Sequence, residues 1–116
     1  MYRNIREVED ANRRAGYFFF TPETMRFFRS RVHDAVYGAG FFVTSEQYEP
    51  GYPRLYTVRF ARPDGSVASV SAFQQYASRS GAHAAAAGYA KLHADGEEVL
   101  DEWGQRLAPP LQTINA

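Results

Sequence analysis

Cysteine is missing from all 116 residues. Disulfides, thiol catalysis and zinc sites built on cysteine are therefore excluded. Lysine is nearly missing as well: Lys91 is the single one, beside twelve arginines. No apolar run approaches the ~18–20 residues that a bilayer-spanning helix needs, and the charged opening MYRNIREVED does not read as a secretory signal. The expected setting is a cytoplasm, with no membrane contact. Net charge is also missing, at a formal zero. That lowers the odds of general polyanion binding, because such proteins usually carry a basic excess.

What the chain does have is apolar and aromatic mass. Hydrophobic residues make up 45% and aromatics 16%, which excludes a disordered chain and calls for a packed core. The length suits one domain, expected over residues 1–108, with 109–116 as a tail. Charge is unevenly placed. Residues 1–93 carry twelve Lys or Arg against eight Asp or Glu, and residues 94–116 carry one against five. Arginine's planar fork suits carboxylate and phosphate.

Along the chain, Asn4 followed by Glu7 has capping-box spacing and opens a first helix that Gly16 ends. YFFF (17–20) is either an extended lead-in or a buried strand. Thr21, Pro22 and Glu23 form a helix start. Met25, Phe28, Val32 and Val36 then recur as one stripe, which predicts a helix over 21–37. Three strands are expected over 41–48, 54–60 and 67–73, the last two joined by the turn RPDGS. Ser78 or Ser80 caps an alanine-rich helix whose inner face is Ala82, Ala85, Ala86 and Tyr89. Its small side chains allow close approach to the sheet. Asp95 with Glu98 would open a last helix to about 107. The fold class expected is α+β: a three-stranded antiparallel meander with helices packed on one face, in the order α-α-β-β-β-α-α.

The stretches YFFFTPETMRFFRSRV, FFVTSE, YTVRF with DGS, and FQQYASRSGAHAAA resemble a family of small uncharacterised proteins of bacteriophages and mobile elements. That resemblance implies a phage or prophage origin and a host cytoplasm, and it brings no activity. The order helix, meander, helix is also similar to a double-stranded RNA-binding domain. Ser80, Gly81 and Ala82, however, stand where that fold's phosphate-holding lysines would be.

Motifs for chemistry are few. His33, His83 and His93 have no ligand spacing, so no metal or cofactor is expected. No GxSxG elbow is present. Glu97, Glu98, Asp101 and Glu102 read as a solvated acidic face or a contact for a basic partner. The Ser78-Arg79-Ser80 turn opens a helix, and its serines either cap that helix or help to hold an anion. Arg26, Arg29, Arg31, Arg59 and Arg62 would reinforce an anion site if they shared its face. Tyr37, Tyr48, Tyr52, Tyr56 and Tyr76 lie in or beside turns and strands, and Tyr and Arg favour interfaces. Tyr76, beside Gln74, Gln75 and Arg79, is the best exposed contact. Phe27, Phe28, Phe41, Phe42, Phe60 and Phe73 are expected in the core.

Two functions follow. The first is a non-enzymatic module that recognises a host or phage protein with Tyr76 and Arg79 as anchors and the acidic helix 95–107 as a second patch. The alternative is nucleic-acid binding by the sheet and the arginine-bearing helix. Convergence of Arg26, Arg29, Arg59, Arg62 and Arg79 on one surface would favour the second. A homodimer through an open sheet edge is a further expectation.

Overall fold

The computed structural model describes residues 1–110. Residues 111–116, most of the expected tail, lie outside the described residues. The order is helix α1 (Ile5–Arg14), helix α2 (Pro22–Phe27), strands β1 (Arg31–Val32), β2 (Phe41–Glu46), β3 (Leu55–Ala61) and β4 (Val67–Ser69), and helix α3 (Arg79–Ala94). The α+β class and the antiparallel meander stand. The sheet has four strands rather than three, ordered β1-β2-β3-β4.

Register sorts the side chains into two faces. Phe41 pairs with Phe60, Val43 with Val58 and Ser45 with Tyr56. The alternate pairs are Phe42 with Arg59, Thr44 with Thr57 and Glu46 with Leu55. On the first face Ala82, Ala86 and Ala90 of α3 pack on Phe41, Val43, Val58, Phe60 and Ala68. The alanine face brings α3 flush to the sheet, as its small residues predict.

The opposite face is covered too. Ile5 and Val8 of α1, with Phe20, close over Phe42 and Ala61. The helices therefore lie on both faces, not on one. The cause is the sequence of β2, which begins with Phe41 and Phe42 on opposite sides and is buried along its whole length. Each buried phenylalanine is worth about 1.5–3 kcal/mol, so neither side can be left in water.

One expected helix is cut short and another is absent among the described residues. Residues 21–37 form helix only as far as Phe27. There the chain turns: the Ser30 amide donates to the Met25 carbonyl and the Arg29 amide to the Arg26 carbonyl. This is a left-handed helix stop, with Arg29 at φ 50°. Arg31 and Val32 then pair with Ser45 and Thr44 as an edge strand. Val32 and Val36 still reach the second core cluster, but from strand and loop. This helix is reduced to one short piece and an additional edge strand follows it, so the sheet departs from the three-strand meander of a double-stranded RNA-binding domain.

The helix expected from Asp95 fails for another reason. Asp95 instead ends α3, and Gly96 follows at φ 81°. Beyond it the chain doubles back. The Leu107 amide donates to the Val99 carbonyl at 2.8 Å, and among the described residues of this segment Val99 and Leu107 alone are buried. Trp103 is 79% exposed.

Among the phenylalanines, Phe41, Phe42 and Phe60 are core as expected. Phe27, Phe28 and Phe73 are not. They form an exposed ring cluster, Phe27 on Phe28 at 4.5 Å and Phe28 on Phe73 at 5.1 Å. Among the described residues no helix is long and apolar enough to cross a membrane.

Candidate functional site

Two confluent depressions lie where α2, β1, the start of β3 and the start of α3 meet. The larger is an open groove of about 640 Å³ lined by Pro22, Met25, Arg26, Arg29, Ser30, Arg31, Gln47 and Arg54. The smaller, about 270 Å³, shares Arg31 and Arg54 with it and adds Val32, His33, Asp34, Ser45, Tyr56 and Arg79. Five arginines thus border one continuous surface.

Local chain geometry puts them there. The short α2 ends in the left-handed turn at Arg29, which throws the chain sideways into β1. Arg26, Arg29 and Arg31 fall on the groove as a result. Arg54 enters from the loop before β3, and its Nη1 donates to the carbonyl of Arg29 at 2.9 Å and to the carbonyl of Ser45 at 3.0 Å. Arg29 Nη1 donates to the Tyr48 carbonyl at 2.8 Å. Arg79 is the first residue of α3 and is exposed.

Arg29, Arg31, Arg54 and Arg79 have no carboxylate within ion-pair distance among the described residues. Arg26 has only Glu23 at 3.9 Å, with both groups in solvent. Burial, and next the charge of Arg31, hold the Arg54 guanidinium below its ordinary value. Unpaired like charges this close are unfavourable unless an anion joins them.

Behind the smaller hollow runs a chain of side-chain contacts. The Tyr37 hydroxyl lies 2.8 Å from His83 Nδ1, and His83 Nε2 lies 3.4 Å from His33 Nδ1. His33 Nε2 lies 3.2 Å from Ser45 Oγ, which also accepts from Arg54 Nη1 at 3.1 Å. Both histidines are shifted below the usual value, His83 by burial and then Arg79, His33 by burial, Arg79, His83 and Arg54.

The remaining candidates from the sequence fall elsewhere. Arg59 is on the α1 face of the sheet, clamped between the Phe19 and Phe73 rings at 5.3 and 5.8 Å. It donates to Thr44 Oγ1 at 3.0 Å and Ser69 Oγ at 2.6 Å, and lies 3.8 Å from the buried Glu46 carboxylate. It therefore ties three strands together inside the domain. Arg62 pairs with Asp101 at 2.9 Å and pins the C-terminal segment to the hairpin. These two arginines do not join Arg26, Arg29 and Arg79.

Tyr76 is half-buried. Its backbone exchanges two hydrogen bonds with Tyr56, at 2.8 and 3.0 Å, and its ring packs on the core. Gln75 Oε1 accepts from the Ala72 amide at 2.9 Å. Ser78 Oγ accepts from the Gly81 amide at 3.1 Å, so this hydroxyl acts as the helix cap. Ser80 is exposed on the first turn.

Sequence reasoning missed Arg54, His33 and His83 as site residues. Arg54 reads simply as the start of a strand. The histidines lie fifty positions apart, and no spacing rule joins them. Strand–helix packing alone sets their rings 5.3 Å apart.

No curated protein and no solved structure matches the chain. One family model does, over residues 4–87, a span that holds every lining residue of both depressions. The chain therefore belongs to the family of unknown function DUF7447.

Proposed function

We propose that this protein is a small non-enzymatic binding module that takes single-stranded nucleic acid along the arginine groove. The observation that carries the reading is the set of guanidiniums bordering the groove and its adjoining hollow, four of them without a carboxylate partner among the described residues. Exposed rings supply the second ingredient. Phe27 and Phe28 end α2, and Tyr48 and Tyr52 are joined to groove residues through the Arg29 and Gln47 side chains. Guanidiniums that follow a phosphate backbone, beside rings on which bases stack, are the recurring chemistry of single-strand binders. On the resemblance to small phage proteins, we read the setting as a host cytoplasm.

Recognition of a protein partner is the second reading. The exposed cluster Phe27, Phe28 and Phe73 favours it. Its expected anchor Tyr76 is partly used up by packing, and an acidic protein surface would have to replace phosphate in the groove.

The deciding measurement is fluorescence anisotropy of a labelled thymidine oligonucleotide over a salt series. Binding should weaken steeply as salt rises, because each neutralised phosphate releases counterions. Duplex of equal length should bind less tightly. No binding at the lowest salt removes the nucleic-acid reading, and equal duplex binding removes its single-strand part.

A further inference from the structure

We propose that the smaller hollow takes up a phosphate group together with a proton, the anion lying against Arg31, Arg54 and Arg79 and the proton going to the His33–His83 pair. This rests on the groove being a nucleic-acid site and adds how that site is regulated.

The geometry of the pair sets its proton content. His33 Nδ1 and His83 Nε2 face each other at 3.4 Å, so one proton can lie between them as N–H···N. The neutral pair's other proton lies on one outer nitrogen, and a third, which makes one ring an imidazolium, must go to the remaining outer nitrogen. Those outer nitrogens already meet the Tyr37 and Ser45 hydroxyls. A hydroxyl both donates and accepts, so it can turn from donor to acceptor without loss of the contact.

The charges that face the pair decide when this happens. From α3 comes Arg79, from β1 Arg31, from the loop before β3 Arg54. Tyr56 presents its ring to His33 at 5.6 Å, and Asp34 is the one carboxylate in the hollow. Burial first, and then the charge of Arg79, joined at His33 by Arg54, hold both rings below the ordinary histidine value. A phosphodiester oxygen among the arginines offsets that field and makes an imidazolium favourable. By linkage, the proton then tightens the anion in turn.

The test uses a thymidine oligonucleotide, whose bases and phosphodiesters do not titrate between pH 5.5 and 8. At constant ionic strength its Kd should fall as pH falls, approaching about tenfold per pH unit where one proton is taken up. His83→Gln should flatten that slope at any absolute affinity. Calorimetry on the unaltered protein in two buffers of different ionisation enthalpy should show net proton uptake near pH 6.5, and this covers the case in which the variant does not fold. Binding with a flat pH profile and no proton uptake overturns the inference and leaves the groove reading standing. A pH slope undiminished in folded His83→Gln also overturns it. Absence of binding at every pH and low salt overturns both.

Discussion

Arg54 donates from its guanidinium to the carbonyl oxygen of Arg29 at 2.9 Å, and Arg29 holds a left-handed φ of 50°. Among the described residues all three helices stop with the same pair of backbone hydrogen bonds. At α1 and α3 the left-handed position is Gly16 and Gly96; at α2 it is Arg29. A side chain there strains the backbone by about 1 kcal/mol relative to glycine. One groove arginine thus keeps another in an unfavourable conformation. Strain held in place by neighbouring contacts is a feature of sites more often than of scaffolds.

Arg29→Gly separates the two roles. Removing the strain should leave the domain as stable as before or up to about 1 kcal/mol more stable, even though the contact with the Tyr48 carbonyl is lost. Oligonucleotide affinity should fall by several-fold at the same time. Urea unfolding and anisotropy on one preparation give both numbers. A variant that loses stability but keeps its affinity would assign Arg29 to the fold alone.

Arg79 and Arg62 provide a matched pair of charge deletions. Arg79→Ala removes an exposed guanidinium with no partner among the described residues. It should fold normally, bind more weakly and reduce the slope of log K against log salt by about 0.7, the value for one phosphate contact on a single strand. Arg62→Ala removes the partner of Asp101. It should lower the thermal midpoint and leave the salt slope unchanged. Equal slopes in the two variants would mean that binding follows overall charge rather than this surface.

Much of this arrangement was legible in the sequence, and the parts that were not have a common origin. Caps and turns with local causes were readable: Asn4 accepts from the Glu7 amide, Thr21 from Thr24, and RPDGS closes its hairpin. The alanine face of α3 was readable because small residues at helical spacing have few other uses. The helix expected over 21–37 failed because its stop is written with arginine where glycine usually marks it. The valines beyond that stop also kept helical spacing while pairing as an edge strand and loop. Arg59 failed as a surface residue because its register partner is Phe42, which turns it toward the α1 face and between two rings. The His33–His83 contact depends wholly on how α3 lies across the sheet. No local pattern encodes it.

The Arg59–Glu46 pair carries its own expectation. Glu46 Oε1 accepts from Thr57 at 2.7 Å, but its Oε2 has no hydrogen bond and relies on the Arg59 guanidinium at 3.8 Å. Arg59→Ala leaves a buried carboxylate alone and should cost about 3 kcal/mol or more. Glu46→Gln should cost clearly less, because the amide oxygen can keep the Thr57 bond without a buried charge. Making both changes should recover part of the Arg59→Ala loss. Strict additivity of the two single changes in denaturant titrations would show that the groups are not coupled.

Stability should also respond to pH in a window set by the histidines. His33 and His83 both bind a proton less readily in the folded domain than in the unfolded chain, first because of burial and then because of Arg79. Above about pH 7 neither state is protonated at these rings, so they contribute no slope. As pH falls below the ordinary histidine value of about 6.5, the unfolded chain takes up protons that the native pair refuses. The thermal midpoint should therefore decline between about pH 7 and pH 5. The lowered carboxylates act in a separate range. Asp64, held down by Ser66, and Asp101, held down by the Gln105 amide, favour the fold until pH falls through about 4. His83→Asn should flatten the upper decline and leave the lower one in place. A midpoint constant from pH 7 to 5 in the unaltered protein would mean that the two rings take protons as easily folded as unfolded. The arginines around them would then exert no field strong enough to keep the pair neutral.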